Sequence, residues 1–418
     1  YSVSTFKDIY ARDGSYNEGV SYANYTTLHL IQAIDALRRT GVANLSGLLN
    51  WPGYTRYLLE MTTPTHEDPH AIVNFSDAGS GSQASVPFWM ARETRDGLPQ
   101  WFGQTLARER DHWSVLYYDP SVSAEPPVDR THLWHSDLDW IVGRTGFSAD
   151  DLVVAMRSGP PFNHEHADRN SIIVKAFGEK LVVDPWRPPY SYKDPSWKMR
   201  LTIGHSGLLI DGAGHQYVDG TEGTNSSEAS ATIVRSGERK GHLFWTSDAT
   251  PAYKLVIPDV KSVTRTVVML YELPAIVLID KVIKTTRPSK IQARFFGYNN
   301  DGNGRVVAEE SGFTLVRPTA LLAGYGMANS DVRYASSLLP IPPERARKHP
   351  FAEISTTSPE MESCMVTVLM PFKGQTSGTG TVQMKKEGNE YHAHIGNSAR
   401  SVNLRVIDAG PIPAFEIK

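Results

Sequence analysis

Beyond about residue 130 the chain is crowded with short runs rich in β-branched residues, most of them closed by Gly, Pro, Asn or Asp, and this rhythm rules out a fold built mainly of helices. Ten such runs occur, among them SIIVKAF at 171–177, KLVVD at 180–184, RTVVMLY at 265–271, AIVLIDKVI at 275–283 and CMVTVLM at 364–370. Few helical segments interrupt them, so the pattern predicts a large antiparallel β-sandwich. Gly178-Glu179 separates the first two runs as a two-residue hairpin turn with Gly first, and Leu273-Pro274 separates another pair. Prolines and charges break the rhythm in SSLLPIPPERARKHP, which places a seam near residue 335 and sets off 336–418 as a smaller C-terminal β-module.

The first part of the chain reads differently. Leu30, Ile34 and Leu37 recur at helical spacing, and Gly41 follows Arg38 and Arg39 as a stop signal. From Trp51 to Pro127, Pro, Gly, Ser and aromatic residues mix without a sustained period, which predicts short helices joined by loops. The expected class is α+β and multidomain, with a helical part at 1–130, a central antiparallel sandwich at 131–335 and the β-module at 336–418.

Charge and cysteine usage narrow the functions. A formal net charge of -3 argues against a general nucleic-acid or anionic-membrane binder, which would carry a large positive excess. The chain has no run of about 18 or more apolar residues to cross a bilayer as a helix. Cys364 is the only cysteine, so no intrachain disulfide forms, and its strand-like setting predicts a small buried hydrophobe.

The densest polar cluster is NHEHADRN at 163–170, followed by a hairpin ending at Asp184 and then by His205. Two histidines, one carboxylate and a water make the roughly tetrahedral shell that zinc or a similar borderline metal takes. An HxH of this kind is equally a pair of hydrogen-bonded histidines at a sheet edge. Strict alternation about Gly178-Glu179 puts His166 and Asp184 on opposite faces, so a bulge or turn before Ser171 is needed to bring them together.

A second cluster, DGSYNEGVSYANY at 13–25, runs from a turn-rich loop into the first helix and holds Glu18, Tyr16, Tyr22 and Tyr25. A tyrosine of pKa ~10 needs positive charge beside it to act as a base near neutrality, and without that these rings are packing under a loop. A third cluster is basic: Arg169, Arg187, Lys193, Lys198 and Arg200, interleaved with Trp186, Tyr190, Tyr192 and Trp197. It suits an anionic sugar chain, with rings to stack on, or equally a solvated strand edge kept from pairing by its charges. Walker, GxGxxG, GxSxG and HExxH motifs are absent from the sequence, which disfavours nucleotide-driven chemistry and serine hydrolysis. Asp77-Ala78-Gly79-Ser80-Gly81 reads as a flexible Gly/Ser loop.

Taken together, EGVSY at 18–22, NHEHADRNS at 163–171, Asp184 and GHSGLLIDG at 204–212 resemble the heparinase II/III-like polysaccharide lyases, and are also similar to dermatan sulfate epimerase. The resemblance spans nearly the whole chain, with 13–27 and 163–212 its specific parts. It implies that the helical part is the end of an (α/α) toroid preceding the sandwich. It implies Tyr22 as Brønsted base, acid or both, with Tyr25 as understudy, and His164 in the catalytic cleft. It implies a structural divalent metal, zinc with manganese or calcium as alternatives, on His166, Asp184 and His205. Glu18, Tyr25, Arg169, Arg187, Tyr190 and Tyr192 are then the expected substrate contacts.

The implied reaction is β-elimination on a uronic-acid polysaccharide, glycosaminoglycan-like or else alginate or ulvan. C5-uronyl epimerisation and a non-catalytic carbohydrate-binding sandwich are the alternatives. The family's carboxylate-neutralising Asn-His pair lies further before the tyrosine than this chain reaches, so the expected partners are an anionic polysaccharide and an N-terminal portion of the same enzyme. A homodimer is compatible with the sequence. A polymeric substrate implies a periplasmic or secreted location.

Overall fold

The computed structural model describes residues 9–79, 81–185, 188–189, 191, 193–215, 227–375 and 380–418. Its helical part comprises Val20–Arg39, Trp51–Glu60, Ser85–Thr94, Gly97–Thr105 and His112–Tyr117. The first of these buries Val20, Ala23, Leu30, Ile31 and Ile34 and ends at Arg38 and Arg39, whose charges suit the negative end of the helix dipole. Asn50, Asp96 and Asp111 each accept a hydrogen bond from a first-turn backbone N–H and so define where three of the shorter helices begin.

The helices pack on a five-stranded antiparallel sheet in chain order, β1 (His132–His135), β2 (Trp140–Arg144), β3 (Val153–Arg157), β4 (Ile172–Ala176) and β5 (Glu179–Val182). Alternation divides its side chains between two cores. Trp140, Val142, Val153, Ala155 and Ile173 join the helices, whereas Ile141, Val154, Met156, Ile172 and Val174 face a second core shared with an eight-stranded sheet. The opposite face of that larger sheet, including Val268, Val277, Ile279, Cys364, Val366 and Val368, is covered by a four-stranded C-terminal sheet running from Thr381 to Ile417. The molecule is thus layered: helices, β1–β5, the eight-stranded sheet and the C-terminal sheet, with a further four-stranded sheet of Val332–Leu338, Pro350–Thr356, Ile291–Phe296 and Leu208–Ile210 sharing the second core.

Two expectations change. Residues Glu362–Lys373 run between Ala320–Ala328 and Ala275–Lys284 in the eight-stranded sheet, so a boundary at 335 would cut that sheet in two. The proline-rich run only links Val332–Leu338 to its antiparallel neighbour Pro350–Thr356, and the C-terminal module starts at Thr381 instead. The hairpin turn also lies one residue earlier than expected. Phe177 and Gly178, at φ 52° and 78°, form the two-residue turn in the doubly positive conformation of type I′, and Glu179 already pairs with Ala176 in β5. Glu179 is committed to the strand because its carboxylate accepts hydrogen bonds from Arg317 and from the backbone N–H of Thr319.

Candidate active site and metal centre

A short loop, 75–79, joins the helical part to the sheets at the site. On one side Gly19, at φ 85°, sits so close to it that an added Cβ would lie 3.1 Å from both Ala78 Cβ and the Phe75 carbonyl. Gly79 N–H donates to Ser21 Oγ at 2.9 Å, which ties the loop to the first turn of the helix carrying Tyr22. On the other side Asp77 N–H donates to the His164 carbonyl at 3.1 Å. Ser76 and His164 both hold left-handed φ values, 60° and 55°, a strained conformation kept only where surroundings impose it. The outcome is a stack: the Tyr22 and His164 rings lie 3.9 Å apart at 12°. Both are partly exposed.

Directly behind His164, a turn reverses the chain. Ser171 N–H donates to the Asp168 carbonyl at 2.9 Å and Asn170 takes φ 64°, which supplies the turn required before Ser171. His166 therefore lies outside the strand alternation, and it meets Asp184 and His205 in a buried group whose ligating atoms all fall within 4.8 Å of one another. His205 Nδ1 donates to Asp184 Oδ1 at 2.6 Å. Burial disfavours the His205 imidazolium, but the Asp184 carboxylate outweighs it and raises its pKa. Burial lowers the His166 pKa despite the Asp77 carboxylate, keeping the imidazole neutral, the form that ligates metals.

Three buried atoms in this group have no hydrogen-bond partner: His166 Nδ1, Asp184 Oδ2 and His205 Nε2. Unsatisfied polar atoms at such depth are costly, and a cation satisfies all three together. The group is able to hold a metal ion. Asp184 also borders a cavity of about 230 Å³ lined by Asp68, Arg108, Lys180 and Tyr298, among others, whereas Tyr22 and His164 do not line it.

The remaining expected residues scatter. Arg169 is fully buried, paired with Glu165 at 2.6 Å and Asp168 at 3.2 Å, and donates to the Gly159 and Pro160 carbonyls. It has no face for a substrate, so its position is that of framework rather than contact. Arg200 and Trp197 of the expected basic and aromatic surface are likewise buried, while Lys193 and Lys198 are exposed. Glu18 accepts from Asn163 Nδ2 at 3.0 Å and from the Tyr16 hydroxyl, next to the stacked pair. Tyr25 is 64% exposed and meets His29 edge to face. Arg187, Tyr190, Tyr192 and Trp186 lie outside the described residues.

The residue that sequence reading missed is Asp77. Fully buried, it offers Oδ1 to His166 Nε2 at 3.0 Å and Oδ2 to His164 Nδ1 at 3.4 Å, and it is ion-paired with Arg200 at 2.9 Å. An acid within a Gly/Ser loop carries no local signature of such a role. Its contacts come from segments far along the chain.

The fold and site define a class in which a helical part and stacked antiparallel sheets meet at a buried His-Asp-His group. The chain belongs to the heparinase II/III-like family: the family model "Heparinase II/III-like, C-terminal" matches residues 141–368, more than half of its length. A mutant of heparan sulfate lyase HepC from Pedobacter heparinus superposes with a TM-score of 0.71 at 13% identity, over 98% of this chain and 61% of that one. Heparan sulfate lyase HepC from the same organism gives 0.69 at 12% identity, over 100% and 61%. Heparinase III gives 0.70 at 13%, over 96% and 62%. At these identities the likeness is one of fold, and the chain spans only about three fifths of the length of these relatives.

Proposed function

We propose that this chain carries the catalytic seam of a polysaccharide lyase that cleaves uronic-acid polymers by β-elimination. The observation that carries the reading is the Tyr22–His164 stack, open to solvent on one side and backed by the His166–Asp184–His205 group. A tyrosine and a histidine in contact supply a proton acceptor and donor in one place. Tyr22 takes the C5 hydrogen of the uronate as a proton, and the C5–H electron pair becomes the C4–C5 double bond. The bond from C4 to the glycosidic oxygen breaks, and that oxygen receives a proton from Tyr22 or His164. The products are an unsaturated uronate and a new chain end.

The C5 hydrogen becomes acidic enough only when the adjacent carboxylate is neutralised. The family resemblance assigns that task to an Asn-His pair before the tyrosine, and we place it in the part of the relatives' length that this chain does not span. Zinc or manganese bound by His166, Asp184 and His205 would stiffen the turn that holds His164 and add fixed positive charge there. Glycosaminoglycans are the favoured substrates, and polymers of that size support a periplasmic or secreted home.

The test is ultraviolet absorbance of the conjugated uronate when the full-length protein meets heparan sulfate, chondroitin sulfate, hyaluronan or alginate. A rise on one polymer, reduced on the order of 10²-fold or more by Tyr22→Phe, is the expected result. Absence of a rise on every polymer, with solvent deuterium entering C5, would reassign the site to uronyl epimerisation. Binding without either change would leave a carbohydrate-binding module.

A further inference from the structure

We infer that Asp77 is the positioning residue of this site, a single buried carboxylate that sets the ligand-ready tautomer of His166 and the orientation of His164 against Tyr22. The part concerning His164 rests on the catalytic reading above, while the part concerning His166 does not.

An ionised carboxylate only accepts hydrogen bonds, so any imidazole nitrogen bonded to it carries the proton. Arg200 pairs with both carboxylate oxygens of Asp77, at 2.9 and 3.2 Å, the surroundings of an ionised acid. His166 must then donate from Nε2, the atom 3.0 Å from Asp77 Oδ1, and its Nδ1 is left as a lone pair. That Nδ1 is one of the three buried atoms without a partner. A carboxylate behind a ligating histidine is the arrangement that fixes ring and tautomer for a metal.

The same residue restrains His164 twice. Its side chain meets His164 Nδ1 at 3.4 Å, and its backbone N–H holds the His164 carbonyl at 3.1 Å. Ser76, immediately before it, and His164 itself are the two non-glycine residues of this contact in left-handed conformations. Backbone strain is therefore present on both sides of the contact between Asp77 and His164, as expected if their mutual placement matters more than local comfort. Arg200, fully buried, pairs with both carboxylate oxygens, at 2.9 and 3.2 Å, and keeps the acid from rotating.

A rival role for Asp77 is to neutralise Arg200 and nothing more. Two variants separate these roles. Asp77→Glu keeps a charge for Arg200 but displaces the acceptors by one methylene. Asp77→Asn keeps the shape but leaves only one acceptor oxygen for the two imidazoles. Each is made in the full-length protein, stripped with a chelator, and titrated with zinc alone against a competing indicator. Folding is checked by near-ultraviolet circular dichroism, and kcat and KM are measured on whichever polymer the wild type cleaves. In parallel, ¹⁵N-histidine NMR of the wild type, assigned through His164 and His166 substitutions, reads the tautomers directly.

The expected result is an Nε2–H tautomer at His166 and a roughly 10-fold or greater loss of zinc affinity in both variants, with kcat falling while KM stays near the wild-type value. Folded variants that keep wild-type zinc affinity and kcat would overturn the inference, as would an Nδ1–H tautomer at His166. Full rescue by Asp77→Glu would also overturn it in favour of simple charge balance. Should either variant fail to fold, the wild-type tautomers decide. A wild type that cleaves no polymer sinks the lyase reading alone, because zinc affinity still tests the hold on His166.

Discussion

Arg157 and Arg169 share two carboxylates, Glu165 and Asp168, in a cluster sealed from water. Burial pushes the Glu165 carboxyl up even beside both guanidinium groups, whereas Arg157 holds Asp168 low against burial. Removing one cation leaves an uncompensated charge, so Arg169→Ala is expected to destabilise the fold by about 3–5 kcal/mol, measured by urea denaturation. A variant with weakened substrate affinity and wild-type stability would restore Arg169 to the binding surface. His349 gives a second expectation, one of pH. Burial, with Lys348 adding to it, lowers its pKa to about 4, against about 6.5 when unfolded. The unfolded chain therefore binds more protons between those values, and stability rises with pH across that window and is lost as pH falls through it. Between about pH 7 and 4 the wild type should lose roughly 3 kcal/mol more than His349→Gln, and equal losses in thermal melts would contradict it. Residue types were readable in the sequence where chemistry restricted the choice, as for Cys364, which is buried. Burial of Arg169 was less visible, although its partners Glu165 and Asp168 lie only four and one residues before it. Nothing local announced Asp77, whose meaning comes entirely from His164, His166 and Arg200.

At the scale of elements, the hairpin β4–β5 links the layered core to Asp184, which follows the end of β5. Its turn depends on two positive φ values in succession, and Gly178 is the one that bears the larger, 78°. A Cβ there would approach His66 ring atoms to 2.4–2.6 Å, and the left-handed conformation adds strain for any other residue. His66 is exposed enough to move aside. Gly178→Ala should therefore cost about 1–2 kcal/mol from the backbone alone, read as a lower denaturation midpoint with an unchanged slope. No change would mean that the turn relaxes. The sequence indicated this hairpin but misplaced it by one residue, because Gly is equally at home at either central position of a two-residue turn. What settles the choice is the bonding of Glu179 to Arg317 and Thr319, well over a hundred residues away and invisible to local propensity.

For the whole molecule, the alternation of helical and β segments was enough to foresee helices before layered sheets, since periodicity records which faces are apolar. It could not say which strands share a sheet. Glu362–Lys373 looked like part of the C-terminal module because a proline-rich run precedes it, yet it pairs with Ala275–Lys284 far upstream. One face of that strand then needs its own cover, which the sheet from Thr381 to Ile417 provides through Tyr391, Ala393, Ile395, Leu404 and Val406. Cys364 reports on this contact: it lies fully buried between the two sheets, and burial pushes its thiol pKa up, so it is inert in both access and ionisation. In the intact protein a chromogenic disulfide reagent should react with Cys364 only as fast as the fold opens. Ending the chain at Gln375 strips the cover from Val268, Val277, Val366 and Val368 and should make the thiol reactive in native buffer, with aggregation of the exposed apolar face. A shortened chain that stays monomeric, folded and unreactive would mean that the eight-stranded sheet closes its own outer face, and the C-terminal sheet would then be an appendage rather than a layer of the core.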